Sequence, residues 1–285
     1  MFKTFLGDLQ INLLQDGLWR LDAGTMFGIV PKTLWEKECA VDEKNRAALA
    51  CNCPLIRTGN HVILLDCGLG RKWSPKELER YEIDPRPRLL EGLAALNVKP
   101  EDVTDIVLTH LHFDHVGGAT HLNAAGEAEP VFVNACHWVE RRELEAAMRV
   151  NELTRGTYLE KNIKPLLYAG LFEVFHEQQE IAPGVTVFRT GGHTAGHAAV
   201  RLVSNGKKAL CPSEIMATAA HWRPAWVTAY DLFPLEMLEL KKNLIVECLR
   251  DDVLLLLNHD PNNPAVRLKK GADGKIVVVP ELERV

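Results

Sequence analysis

The chain has 285 residues, 47% apolar and 25% charged, with a net charge of -5. That length buries a full core, and with no Pro/Ser-rich linker, charge block or low-complexity segment to divide it, residues 1–285 are expected to form one domain. The acidic balance, with only isolated basic pairs such as Arg141-Arg142 and Lys241-Lys242, argues against nucleic acid as a partner, and no apolar run approaches the ~18 residues of a membrane span.

Residues 9–21 alternate enough for one or two strands around Gln15-Asp16-Gly17, a hairpin-type signal. Gly24 to Pro31 reads as a loop displaying Met26 and Phe27, with a short helical turn from Thr33. Strand-like runs follow at 52–57 and 61–66, the second closing on Cys67-Gly68-Leu69-Gly70. Arg88 to Leu96 has apolar residues at helical spacing, and 105–109 is a short strand. Gly117-Gly118-Ala119-Thr120 leads into a turn or short helix, Pro130 to Asn134 is a strand, and the charged tract from His137 to about Tyr168 is helical. Strands return at 185–189, 199–203 and 208–211, the last two joined by Ser204-Asn205-Gly206. Leu235 to Cys248 is an amphipathic helix with Pro234 in its first turn. Val253 to Leu257 is continuously apolar, as a strand covered on both faces is, and Ile276 to Val279 is a last strand. Two mixed sheets packed face to face, with helices outside, satisfy this order.

Seven cysteines (Cys39, Cys51, Cys53, Cys67, Cys136, Cys211, Cys248) are an odd number in a long chain and suit free thiols. Cys51 and Cys53 share one face of a strand, a setting that favours core packing over metal binding. The amino end carries Asp8 and no small-residue cleavage site after an apolar stretch, so the expected location is the cytoplasm.

Thr109-His110-Leu111-His112-Phe113-Asp114-His115 places three imidazoles and a carboxylate within six residues, directly after an apolar run. From an extended backbone His110 and His112 point the same way and can ligate one ion, while Asp114 and His115 lie around the turn and can face a second. A lone histidine is more often structural, but His193 and His259 also follow apolar runs. His110, His193, Glu214 and His259 then all stand just beyond strand ends, where one cleft can collect them. Imidazole and carboxylate without thiolate suit two divalent ions, zinc first, with iron or manganese as alternatives.

At these residues the chain resembles the metallo-β-lactamase superfamily of hydrolases. Thr109–His115 matches that family's second motif. Asp66 with Gly68 and Gly70 resembles the first, whose aspartate holds the His-rich loop without touching metal. Gly191-Gly192-His193-Thr194-Ala195-Gly196-His197 resembles the third, with His193 as ligand and His197 in support, and His259 stands where the family puts its last ligand. The resemblance covers nearly the whole chain and implies an α/β fold, a four-layer αββα sandwich of two mixed β-sheets flanked by helices. It implies one ion held by His110, His112 and His193 and another by Asp114, His115 and His259. The fourth motif departs from the family, because Glu214 stands where an aspartate normally bridges the ions. Longer by one methylene with the same charge, Glu214 is expected to bridge; the alternatives are a ligand to one ion only or a surface acid.

The expected nucleophile is a hydroxide bridging the two ions, since a shared water loses its proton near neutral pH, and no Gly-x-Ser-x-Gly elbow occurs. Asp114 is expected to orient it and carry a proton toward the leaving group. The aromatic-rich segment His221 to Asp231 either packs on the sheet or walls a pocket, with His221 and Tyr230 as candidate oxyanion donors. With Met26-Phe27-Gly28 it is similar to segments of lactonase-like members, so the expected reaction is hydrolysis of a small ester, a lactone first. Phosphodiester or thioester hydrolysis, a mononuclear-iron thiol or persulfide oxidation, and a non-enzymatic metal-containing binding domain are the alternatives. The expected partner is a small molecule, with neither nucleic acid nor membrane; a homodimer is left open.

Overall fold

Period-two alternation sorts strand side chains onto two faces, and that sorting builds the layers. The structure is a computed structural model and describes residues 2–84, 86 and 88–281. The first seven-stranded sheet begins with β1 (Phe2–Leu6), β2 (Leu9–Asp22), β3 (Arg46–Thr58), β4 (His61–Leu65) and β5 (Asp105–Val107). A separate hairpin of β6 (Thr120–Leu122) and β7 (Ala128–Pro130) intervenes before β8 (Cys136–Glu140) and β9 (Phe172–Phe175) complete it. The second seven-stranded sheet runs β10 (Gln178–Ala182), β11 (Val185–Arg189), β12 (Ala198–Ser204), β13 (Lys207–Cys211), β14 (Leu254–Leu256), β15 (Ala265–Lys270) and β16 (Ile276–Pro280) in spatial order. Both sheets are mixed: β4, β5, β8 and β9 run parallel, as do β13 and β14, and the other neighbours antiparallel.

The helices are α1 (Ala23–Phe27), α2 (Lys32–Trp35), α3 (Pro75–Tyr81), α4 (Arg88–Ala95), α5 (Phe113–Val116), α6 (Arg141–Ala147), α7 (Glu160–Tyr168) and α8 (Pro234–Asp251). Ile63, Leu65 and Val107 of the first sheet meet Val187, Val200, Leu254 and Leu256 of the second in a core between the sheets. Leu64 and Ile106, on the opposite face, pack on Leu89 and Leu93 of α4 and Leu166 of α7. Leu255, flanked by two inward leucines, turns outward onto Met237, Leu244 and Cys248 of α8. Both faces of β14 are therefore covered, which explains its uninterrupted apolar run. The result is the four-layer αββα sandwich. Among the described residues no helix is long and apolar enough to cross a membrane.

Several elements differ from expectation for local physical reasons. Gln15-Asp16-Gly17 is a bulge inside one long strand, because the Asp16 carboxylate leaves the ladder to accept from Gly70 N and Leu89 N at 2.8 and 3.1 Å. Met26 and Phe27 are buried in α1, which Asp22 caps by accepting from Thr25 N; the segment is no exposed loop. The strand expected at Pro130 to Asn134 ends at Pro130. The next strand starts at Cys136, where Trp138 Nε1 donates to Asp105 Oδ1 at 2.9 Å and the backbone pairs with β5. The charged tract after His137 thus opens as a strand, turns helical at Arg141 with Glu140 as cap, and breaks between Ala147 and Glu160.

Two glycine-rich turns seat the site. An added Cβ at Gly118 would meet Cys67 O at 2.1 Å, so the turn after the His-rich loop lies backbone to backbone on the turn after β4. Gly118→Ala is expected to cost about 1–3 kcal/mol in urea unfolding, because neither backbone can yield. Gly156→Ala, whose Cβ meets nothing within 4 Å, should be near neutral; equal losses would contradict this packing.

Candidate metal centre

Beyond β5 the chain bends at Thr109 and at His112; Leu111 enters the outer core while His110 and His112 point to the cleft. The single turn of α5 then presents Asp114 and His115. Loops after β11, β13 and β14 bring His193, Glu214 and His259. Three overlapping groups have candidate ligand atoms within 4.8 Å of one another: His110, His112 and His193; His110, His115 and Glu214; Asp114, His115 and His259. All seven proposed ligands therefore lie in one continuous cluster, with Glu214 in the group that contains a histidine of each end set.

The nitrogens face each other at ligand spacing. His112 Nδ1 lies 3.1 Å from His193 Nε2, and His115 Nε2 lies 3.1 Å from His259 Nε2. Glu214 Oε1 is 2.7 Å from His259 Nε2 and 3.3 Å from His115 Nε2, and Asp114 Oδ2 is 3.6 and 3.7 Å from the same two nitrogens. Metal–nitrogen bonds of ~2.0–2.1 Å at tetrahedral angles separate ligand nitrogens by about 3.3 Å. His110 Nε2 is buried with no hydrogen-bond partner, which a cation would resolve. These residues fit a pair of divalent ions.

The far side of each ring is tied down, which selects the tautomer. His115 Nδ1 donates to Asp66 Oδ2 at 2.9 Å, His193 Nδ1 to Asp231 Oδ1 at 2.8 Å, and His259 Nδ1 to Ala50 O at 2.8 Å. Each Nε2 lone pair is thereby aimed inward. Asp66 touches no other member of the cluster; it also accepts from Thr109 N, Thr109 Oγ1 and Asn258 Nδ2. His197 supports Glu214 by accepting from its backbone N at 3.2 Å. Asp231 had no assigned role in the sequence, since its partner lies 38 residues away and no local spacing signals the pair.

Burial and the neighbouring imidazoles hold His110, His112 and His197 well below the usual histidine range. Burial acts the same way on His115, His193 and His259, but the Asp66, Asp231 and Glu214 carboxylates outweigh it and push those three up. Burial alone would raise Glu214; His259 and His115 hold it well below the carboxylate range instead. The cluster is built to attract positive charge.

The two candidate oxyanion donors separate. Tyr230 lines the cleft beside the histidines, its hydroxyl 2.7 Å from Thr25 Oγ1. His221 faces away: its ring stacks on Phe27 at 4.9 Å, Nε2 donates to Met26 O, and Nδ1 meets Thr218 Oγ1. With both nitrogens engaged and the ring bordering a different cavity, it is not placed to polarise a substrate at the cluster.

The family model of the metallo-β-lactamase superfamily matches residues 46–212. The chain belongs to that superfamily. An N-acyl homoserine lactonase of a Bacillus species is 32% identical over 155 residues, 51% of this chain and 55% of that protein. The lactonase AttM of Agrobacterium fabrum is 28% identical over 187 residues, 63% and 66% of the two chains. The chain thus spans about half the length of the first of these relatives. Among solved structures, a probable metal-dependent hydrolase from Staphylococcus aureus superposes with a TM-score of 0.90 at 33% identity, covering 99% of this chain and 100% of the other. AidC, a dizinc quorum-quenching lactonase, shares the fold with a TM-score of 0.81 at 19% identity over 100% and 98% of the chains.

Two tests follow from this geometry. Asp66→Asn sets an amide N–H against donors, and should cost on the order of 3 kcal/mol in metal-free unfolding and weaken metal binding about 10–100-fold; a folded variant with unchanged affinity would contradict the bracing role. Because His115, His193 and His259 are raised, metal must displace protons there, so uptake near pH 7 releases protons and affinity falls with falling pH. Calorimetry in buffers of different ionisation heat checks this, and an affinity constant from about pH 6 to 8 would contradict it.

Proposed function

We propose that the protein is a dinuclear metal-dependent hydrolase of small, mostly neutral esters, with lactones ahead of phosphodiesters. The observation that carries this reading is the cleft in front of the cluster, a cavity of about 240 Å³. His110, His112, Asp114, His193, Glu214 and His259 form its floor, and Trp19, Leu21, Met26, Leu49, Tyr81 and Phe113 wall it. No Lys or Arg borders it among the described residues. A phosphodiester asks for cationic clamping, whereas an uncharged ring ester with an apolar tail fits these walls. The lactonase names of the sequence relatives support the same substrate class.

Two divalent ions bound here would lower the pKa of a bound water and polarise the ester carbonyl; zinc, iron and manganese all match the donors. The chain's own contributions are positional and protonic. Glu214 and Asp114 put anionic oxygens on the cluster, and Asp114 accepts the proton that the attacking water gives up and passes it to the departing alkoxide. Tyr230 stays protonated, because burial pushes its hydroxyl up; Thr25 Oγ1 donates to Asp22 O and so accepts from Tyr230, whose proton turns from Thr25 to the carbonyl oxygen as charge develops. Trp19, Phe113 and Tyr81 pack edge to face along the wall and exclude water.

The test is a hydrolysis screen of metal-replete protein against lactones of varied chain length, aryl esters, thioesters and phosphodiesters. Lactone turnover should lead, and Tyr230→Phe should lower kcat about 10–100-fold with little change in metal content. Phosphodiester turnover without lactone or ester turnover would overturn the substrate assignment and leave the metal centre standing.

A further inference from the structure

Glu143 is a fully buried carboxylate on a helix whose neighbouring charges, Arg141, Arg142 and Glu145, are exposed. Among the described residues it makes no ion pair with Lys or Arg, and burial raises its pKa. A carboxylate in that setting is costly unless every oxygen is hydrogen-bonded. Its partners come from three segments. Oε1 accepts from Leu111 N at 2.9 Å and from the Tyr158 hydroxyl at 2.9 Å, and Oε2 accepts from the Thr194 hydroxyl.

Each partner lies one step from the same three histidines. Leu111 sits between His110 and His112, Thr194 follows His193, and the Tyr158 ring packs edge-on against His112 at 4.9 Å. None of these contacts reaches Asp114, His115 or His259. The third motif is pressed onto the same turn, because a Cβ at Gly196 would stand 2.1 Å from Glu143 N. We propose that Glu143 is a positioning residue for the three-histidine group, its carboxylate clamping the segment that bears His110 and His112 to the segment that bears His193. The assignment rests on the reading that this group holds an ion, and it makes Glu143 to the first group what Asp66 is to the second.

Chemistry predicts what each substitution keeps. Glu143→Gln retains an oxygen for Leu111 N and Tyr158, and its amide can donate to Thr194 Oγ1 once that hydroxyl rotates. Glu143→Ala leaves three buried donors without an acceptor.

The experiment compares zinc affinity, by chelator competition, in two backgrounds. His259→Ala leaves the three-histidine group to bind zinc, and His193→Ala leaves the other group. Glu143→Ala should weaken zinc about 10–100-fold in the His259→Ala background and less than about threefold in the His193→Ala background, with Glu143→Gln within about threefold of its parent in both. If metal-free Glu143→Ala fails to show the parent's circular dichroism, Thr194→Val, which keeps volume and removes the Oε2 donor, carries the same comparison with an expected selective loss of about 3–10-fold. Equal losses in both backgrounds, or none in the first, would overturn the assignment. A His259→Ala parent that takes up no zinc would instead overturn the metal reading on which it rests.

Discussion

The Asp66 carboxylate, buried at the end of β4 in a left-handed backbone conformation, gathers donors from three parts of the chain. Thr109 N lies 43 residues away, His115 Nδ1 49, and Asn258 Nδ2 192. A buried charge cannot be left with unpaired lone pairs, so folding this one side chain forces the His-rich loop, its helical turn and the loop after β14 into a single register. The sandwich supplies the frame: β5 and β14 are interior strands of the two sheets, and the loops that follow them meet at Asp66. Chain segments that share little sequence proximity thereby deliver ring nitrogens to within hydrogen-bond distance of one another.

The histidine cluster pairs this order with an asymmetry of charge. Glu214, Asp114, Asp66 and Asp231 surround the six imidazoles His110, His112, His115, His193, His197 and His259, pulling protons onto some rings and leaving others neutral. A cation is the natural replacement for those protons. Glu214, one methylene longer than an aspartate, brings its Oε1 to 2.7 Å from His259 Nε2. A short helical turn at Ser213–Met216 sets this reach, with Ser213 in a left-handed conformation at its start. The cleft in front of the cluster is the opposite, an aromatic wall with no cationic side chain among the described lining residues.

Much of this was legible because it is local. Alternation and turn residues mark β11 to β13, an unbroken apolar run marks β14, amphipathic spacing marks α8, and a His-x-His spacing on an extended backbone needs no tertiary information to read. Asp66 and His259 stand at the ends of apolar runs for the same reason. What was hidden depends on non-local contacts. Asp231 and Glu143 act through partners 38 and 15 to 51 residues away, and neither has a spacing that distinguishes it from a surface acid. His221 shows the same limit in reverse: its place in an aromatic-rich segment suggests a pocket wall, while Asp22 capping α1 turns Phe27 under it and Met26 O accepts a hydrogen bond from its Nε2. The charged tract from His137 to about Tyr168 reads as helical, but its first residues, to Glu140, form a strand because β5 offers a parallel edge.

The most direct test of the account is anomalous diffraction at the zinc edge from crystals grown with saturating zinc. It should show two peaks per chain, one beside His110, His112 and His193 and the other beside Asp114, His115 and His259, with a Glu214 oxygen between them. A single peak in fully zinc-loaded crystals, or peaks away from these side chains, would contradict the claim that these seven residues form a dinuclear centre.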